Sequence, residues 1–267
     1  MNLELITKQV VNLSRAVGQY IQKEAQKFKD NDIEEKSIHN LVTYVDKESE
    51  KILVQELGKI LPQAGFIAEE NSSLSRSEQF NWVIDPLDGT TNFIHHVPLY
   101  AISIALLDRD EVIIGVILEI NLNECFYAWK NSPAFLNGKE INVSNTDNMD
   151  NSLLATGFPY YDYSLLDPYL ELFKDLMRTT RGVRRLGSAA VDLAYVACGR
   201  FELFYEYGLQ SWDVAAGSLI VKQAGGEVSD FKNNDNYIFG KQIIASNGLI
   251  HNAFTGKLQD YFGSHLS

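Results

Sequence analysis

The segment Asp85-Pro86-Leu87-Asp88-Gly89-Thr90-Thr91-Asn92-Phe93 holds the densest chemistry in the chain. An apolar run, Trp82-Val83-Ile84, ends at a carboxylate. Pro86 and Gly89 then bend the backbone, and a second carboxylate follows three residues after the first. Such a turn sends two carboxylates to one side while Gly89 and Thr90 offer backbone N–H groups where a helix can begin. Carboxylate oxygens hold hard cations, and exposed N–H groups hold phosphate. A tight turn with an Asp cap accounts for the same residues equally well, because Asp, Pro and Gly are common turn formers.

Other carboxylates bear on that choice. Glu69-Glu70 follows the short apolar run Phe66-Ile67-Ala68, Asp213 stands at the start of an apolar helical stretch after Trp212, and Asp46 stands near the start of another. Each has an ordinary alternative: a solvated acidic pair, a helix N-cap, and an exposed first-turn acid favoured by the helix dipole. Their repetition where strands end or helices begin is what favours a site, since sites gather at such positions in α/β architectures.

With these residues in view, the sequence resembles the inositol monophosphatase family, within the magnesium-dependent, lithium-sensitive phosphatases. One family signature is matched by Trp82-Val-Ile-Asp85-Pro-Leu-Asp88-Gly-Thr-Thr-Asn-Phe93. A second is matched by Trp212-Asp213-Val-Ala-Ala-Gly217 and the residues on to Gly226. Glu69-Glu70 and Leu41-Val-Thr43-Tyr-Val-Asp46 also match, in the correct order, so the resemblance spans nearly the whole chain.

The resemblance implies roles. Glu69, Asp85 and the Leu87 carbonyl would ligate one Mg²⁺; Asp85, Asp88 and Asp213 would ligate a second; and Glu69 would help hold a third through water. Thr90, supported by Asp46, would orient an attacking water near Glu69. The backbone N–H groups of Gly89 and Thr90 would bind phosphate. Ala189 and Glu206 would contact substrate hydroxyls, with Asp88 and Asp213 also facing the substrate. His95 matches a position commonly occupied by His in animal members; a structural or surface imidazole explains it as well.

Those assignments suit the chemistry of a phosphate monoester, a dianion that resists water. Bound Mg²⁺ neutralises phosphate oxygens, acidifies a water and stabilises the leaving alkoxide. Oxygen-only ligands favour such a hard cation. The five His include no HExxH spacing, which argues against a zinc hydrolase. A haloacid-dehalogenase phosphatase would carry an Asp-x-Asp-x-Thr turn; here the acids are three apart. Relatives acting on 3′-phosphoadenosine 5′-phosphate carry Lys-Glu where this chain has Thr91-Asn92, which favours the inositol monophosphate branch. Fructose 1,6-bisphosphate and histidinol phosphate remain open, as does a protein-binding role in a transcription complex, since some bacterial relatives are linked to one.

Several elements must position these residues. Leu3, Ile6, Val10, Leu13, Val17 and Ile21 predict an amphipathic helix, followed by a polar loop over 29–36; a second helix is expected from about Thr43 to Leu61. Short apolar runs at 66–68, 82–84, 101–107, 112–120 and 125–129, with a hairpin signal at Asn137-Gly138, predict an antiparallel meander, and 71–79 reads as a loop. From about residue 150, strands near 153–156, 183–186, 201–205 and 242–245 alternate with helices within 165–179 and over 189–198, 214–223 and 250–262. The fold expected is α+β / α/β, a layered αβαβα sandwich. Residues 1–148 would form an N-terminal α+β lobe with two helices and the metal site, and 149–267 a mixed α/β lobe completing the metal and substrate site.

The 267 residues are 45% hydrophobic, enough for a sizeable core. A net charge of −12 disfavours direct nucleic-acid contact and an anionic lipid surface. Cys125 and Cys198 read as buried free thiols. No apolar run is long enough for a membrane span, and the N-terminus, with polar residues every two or three positions, reads as lacking the apolar core of a signal peptide. The expectation is a cytoplasmic protein acting on a small phosphorylated polyol or sugar, with a homodimeric assembly implied by the resemblance.

Overall fold

The computed structural model describes residues 1–28, 33–37, 40–71, 74–159 and 162–263. α1 (Leu3–Ala25) starts where the Asn2 side chain accepts from the Leu5 N–H, and α2 (Tyr44–Ile60) starts at a capping box between Thr43 and Asp46. Between them β1 (Ile33–Ser37) and β2 (Asn40–Thr43) pair antiparallel. This corrects the loop expected over 29–36: residues 33–36 are strand, while 29–32 lie outside the described residues. The run Ile-Glu-Glu-Lys-Ser has no apolar alternation to announce a strand; its backbone pairing with β2 makes it one.

A seven-stranded sheet follows in chain order: β3 (Gly65–Ala68), β4 (Phe80–Asp88), β5 (Ala101–Asp108), β6 (Glu111–Glu119), β7 (Glu124–Trp129), β8 (Ala134–Leu136) and β9 (Lys139–Ile141), with α3 (Thr90–Ile94) between β4 and β5. Asn137 and Gly138 both take positive φ, as a tight hairpin turn requires. The expected meander is present with one correction: β3 and β4 run parallel. β4 also continues past Asp85 through Pro86 to Asp88, with its register against β5 shifted between those two acids.

A second sheet, ordered β11-β10-β12-β14-β13, contains β10 (Leu153–Thr156), β11 (Gly182–Arg184), β12 (Leu203–Tyr207), β13 (Glu227–Ser229) and β14 (Gln242–Ser246). Its strands β11, β10 and β12 are parallel, and β14 and β13 are antiparallel to their neighbours. β12 begins two residues later than the sequence suggests. The helices are α4 (Leu166–Thr179), α5 (Ala189–Ala197), α6 (Ser211–Gln223) and α7 (His251–Phe262).

Three apolar clusters define the layering. α1 and α2 cover one face of the large sheet. α5 and α6 fill the space between the two sheets. α4 and α7 cover the far face of the small sheet. The result is an αβαβα sandwich. Cys125 is buried and Cys198 half-buried, both as free thiols. Among the described residues no helix is long and apolar enough to cross a membrane.

The middle layer is tight where α6 crosses β6. A Cβ on Gly115 would lie 2.5 Å from the Ala216 carbonyl oxygen, so only glycine lets the helix backbone come this close. On the other side of α6, a Cβ on Gly217 would lie 2.5 Å from the Leu193 side chain of α5. Gly115→Ala is expected to destabilise by about 1–3 kcal/mol through overpacking. Thermal or denaturant melts check this, and a variant as stable as wild type contradicts the close approach.

Candidate active site

The bulge in β4 puts Asp85 and Asp88 on the same rim. The Leu87 N–H donates to Asp85 Oδ1 at 2.9 Å, folding the turn onto the first acid. Gly89 then enters α3 with φ +100°; a Cβ there would also come within 3.3 Å of the Leu99 and Gly187 carbonyl oxygens. Asn92 secures the segment from behind, donating to the carbonyls of Leu99 (2.8 Å) and Leu186 (2.9 Å).

The other acids arrive from the middle layer. Asp88 Oδ2 accepts from the Ser188 hydroxyl and the Ala190 N–H, both at 2.7 Å, which clasps the N-terminus of α5 to β4. Ser188 caps that helix as its sequence suggests, its Oγ accepting from the Val191 N–H. α6 begins at Ser211, so Asp213 is a first-turn residue rather than the cap, and its Oδ2 accepts from the Gln210 N–H at 2.7 Å. Ser103 of β5 donates to the Trp212 carbonyl at 3.0 Å and fixes that helix start against the large sheet.

Asp85, Asp88 and Asp213 each bring an oxygen within 4.8 Å of the others. Burial, then repulsion from Glu69, Asp88 and Asp213, holds Asp85 well above the usual carboxylate range. Asp213 is raised by burial and by Asp88. Asp88 is pushed up to about 6 by burial, against the donors from Ser188 and Ala190. Glu69 lies outside the close trio but lines the same cavity. Crowded, oxygen-only, mutually repelling donors fit a hard divalent cation.

Asp46 is buried, which corrects the alternative of an exposed helix acid. Its Oδ2 accepts from the Thr43 N–H at 2.9 Å and its Oδ1 from the Thr90 hydroxyl at 2.9 Å. That hydroxyl also lies 3.1 Å from the Leu87 carbonyl. Burial pushes Asp46 up to about 6. It sits behind Thr90 and does not line the cavity.

The cavity, of about 480 Å³, takes in Glu69, Asp85, Leu87, Asp88, Gly89, Thr90 and Asp213, with Ala189 and Glu206 also on its wall. Glu206 belongs to β12 and lies against the bare Cα of Gly157, where a Cβ would meet its carboxylate at 2.1 Å. Burial pushes Glu206 up to about 8, opposed by the charge of Arg185. His95 is exposed at the end of α3 and is not part of the lining. Sequence reasoning missed Gly157, Arg185 and Asp192. Only Asp192 carried a signal: it is the sole charged residue in the apolar run Ala189–Ala197.

The model of the inositol monophosphatase family matches residues 2–263. The chain belongs to that family. It is 39% identical over 258 residues to the Nus factor SuhB of Pseudomonas aeruginosa, covering 95% of each chain. Among solved structures, the suhB protein of Bartonella henselae is 35% identical with a TM-score of 0.89, over 96% of this chain and 98% of that one. The Thermotoga maritima IMPase is 34% identical with a TM-score of 0.86, over 96% and 97%. For this family member the two long matched signatures are the segments that supply the Asp85, Asp88 and Asp213 cluster.

Two outcomes follow from the electrostatics. A cation that binds only the folded state stabilises it by mass action, about 2.7 kcal/mol at a hundredfold over Kd. The wild-type Tm is therefore expected to rise in a Mg²⁺ titration at constant ionic strength. In chelator Asp85→Asn should melt no lower than wild type, because it deletes a repelling charge, and it should respond less to Mg²⁺. An equal Mg²⁺ shift in both proteins contradicts a shared cation site.

The second outcome concerns Glu206. Its folded value lies above its unfolded one, so its contribution is full at low pH and is lost as pH rises through the folded value. Glu206→Gln, fixed neutral, should be more stable than wild type, by a margin that opens above about pH 5 and levels off above about pH 8. Melts across that range check it; a margin independent of pH contradicts the buried neutral acid.

Proposed function

We propose that the protein is a Mg²⁺-dependent phosphomonoesterase that hydrolyses a small phosphorylated polyol, with inositol monophosphate the first candidate, by direct attack of water. One observation carries the reading: three carboxylates, Asp85 buried and Asp88 and Asp213 half-buried, converge beside the Gly89-Thr90 turn, in a cavity also lined by the carboxyl of Glu206.

When bound, two or three Mg²⁺ ions supply charge that neutralises the phosphate and leaving oxygens and acidifies a water. Glu69, Asp85 and the Leu87 carbonyl would hold one; Asp85, Asp88 and Asp213 would hold another; and Glu69 would reach a third through water. Thr90 keeps its proton on Asp46 Oδ1, which leaves an Oγ1 lone pair to accept from the attacking water beside Glu69. The Gly89 and Thr90 N–H groups receive the phosphate. Glu206 and Ala189 meet the hydroxyls of the alcohol being released, near Asp88 and Asp213. No residue is called on as a nucleophile, so catalysis is positioning plus electrostatics.

A panel of phosphorylated metabolites with Mg²⁺, including inositol monophosphate, fructose 1,6-bisphosphate and histidinol phosphate, tests the reading. Asp85→Asn should lower kcat by about a hundredfold or more while the fold persists. Near-normal turnover by that variant, or no turnover of any phosphomonoester by wild type, overturns it. A second reading, a binding role in a transcription complex, is favoured by relatives named Nus factor SuhB at 38–39% identity. Partner capture that survives Asp85→Asn would separate that role from hydrolysis. The assembly proposed is a homodimer.

A further inference from the structure

Asp192 is the buried acid for which neither the fold nor the metal reading accounts. It stands one turn after Ala189 on α5, so the two share a helix face, and both line the cavity. It is 1% exposed, and its Oδ1 has no hydrogen-bond partner. The contrast with other buried acids is direct. Asp46 accepts from Thr43 and Thr90, and Glu202 from Leu153 and Thr146. A helix dipole favours an acid in the first turn, but an exposed one would gain as much. A buried polar atom without a partner costs about 1–3 kcal/mol. An acid on an Ala- and Val-rich helix that meets this cost is accounted for by a ligand that supplies the missing hydrogen bond.

We propose that Asp192 is a specificity-determining residue, forming with Glu206 a two-carboxyl subsite that binds a hydroxyl of the substrate's alcohol portion. The inference rests on the phosphatase reading above and deepens it. Glu206 and Asp88 face Asp192 with like charge and Arg185 faces it with opposite charge. Burial, then Glu206 and Asp88, holds its carboxyl well above the usual carboxylate range. A carboxyl oxygen accepts from an alcohol O–H, and the bare Oδ1 is the atom available to do so. A leaving group without hydroxyls leaves Asp192 unpaired, and a site built to hydrogen-bond a hydroxyl rejects analogues that lack it.

The test compares kcat/KM for myo-inositol 1-phosphate with that for p-nitrophenyl phosphate, with Mg²⁺, in wild type, Asp192→Asn and Asp192→Ala. Thermal melts of all three accompany it. Asn keeps an acceptor oxygen and the shape, so its polyol-to-aryl ratio should stay within about threefold of wild type. Ala removes the hydrogen bond, so its ratio should fall by about tenfold or more while its Tm stays at or above wild type. An unchanged ratio in Asp192→Ala, an equal fall in Asp192→Asn, or a Tm of Asp192→Ala well below wild type overturns the proposal while turnover of both substrates by wild type leaves the phosphatase reading standing. No turnover of either by wild type ends that reading, and this inference with it.

Discussion

Repulsion among Glu69, Asp85, Asp88 and Asp213 is the constraint to which the rest of the architecture answers. No two of the last three could share a dry pocket as free anions. The fold sets an N–H against each: Leu87 for Asp85, Ala190 for Asp88 and Gln210 for Asp213. Two of those donors belong to helix starts, where the dipole adds positive potential. The compensation is partial, since burial and mutual charge still hold Asp85 and Asp213 high. The remaining imbalance is what a divalent cation would neutralise.

Bringing the Ala190 N–H of α5 and the Asp213 carboxylate of α6 to the acids on β4 requires the middle layer to lie close to the large sheet. Gly115 lets α6 approach that sheet, and Gly217 lets α5 approach α6. Each glycine weakens its own element in isolation, so the packing is bought with local propensity. Asp88 then acts in two ways. Its carboxylate joins the acidic cluster, and the same oxygen ties α5 to the sheet. Placement of the site and cohesion of the layers are therefore linked through one residue.

The αβαβα order was legible because apolar spacing survives in the sequence: period 3.6 in α1, short β-branched runs in β5 and β6, and Asn137-Gly138 between β8 and β9. The acidic segment at 85–93 was legible because turn residues and carboxylates coincide there. What failed to show had its cause far along the chain. β1 depends on β2 for its pairing. The extension of β4 through Pro86 depends on a shifted register with β5. The burial of Asp46 depends on Thr90, 44 residues away. Gly157 acquires meaning only against Glu206, and no local pattern joins the two.

The carboxyl groups that line the cavity are set on different physical terms. Asp85, Asp88 and Asp213 each meet a backbone N–H, which changes little when side chains change. Glu206 is set by the absence of a side chain at Gly157 and by the charge of Arg185, and Asp192 by an apolar helix that gives its Oδ1 nothing. Those settings depend on side-chain identity, yet they are tied to the acidic trio: the charge of Asp88 acts on both Glu206 and Asp192, and that of Glu206 acts on Asp213. A substitution at either wall residue therefore also shifts the charge balance of the trio, because like charges within reach of one another are relieved or aggravated together.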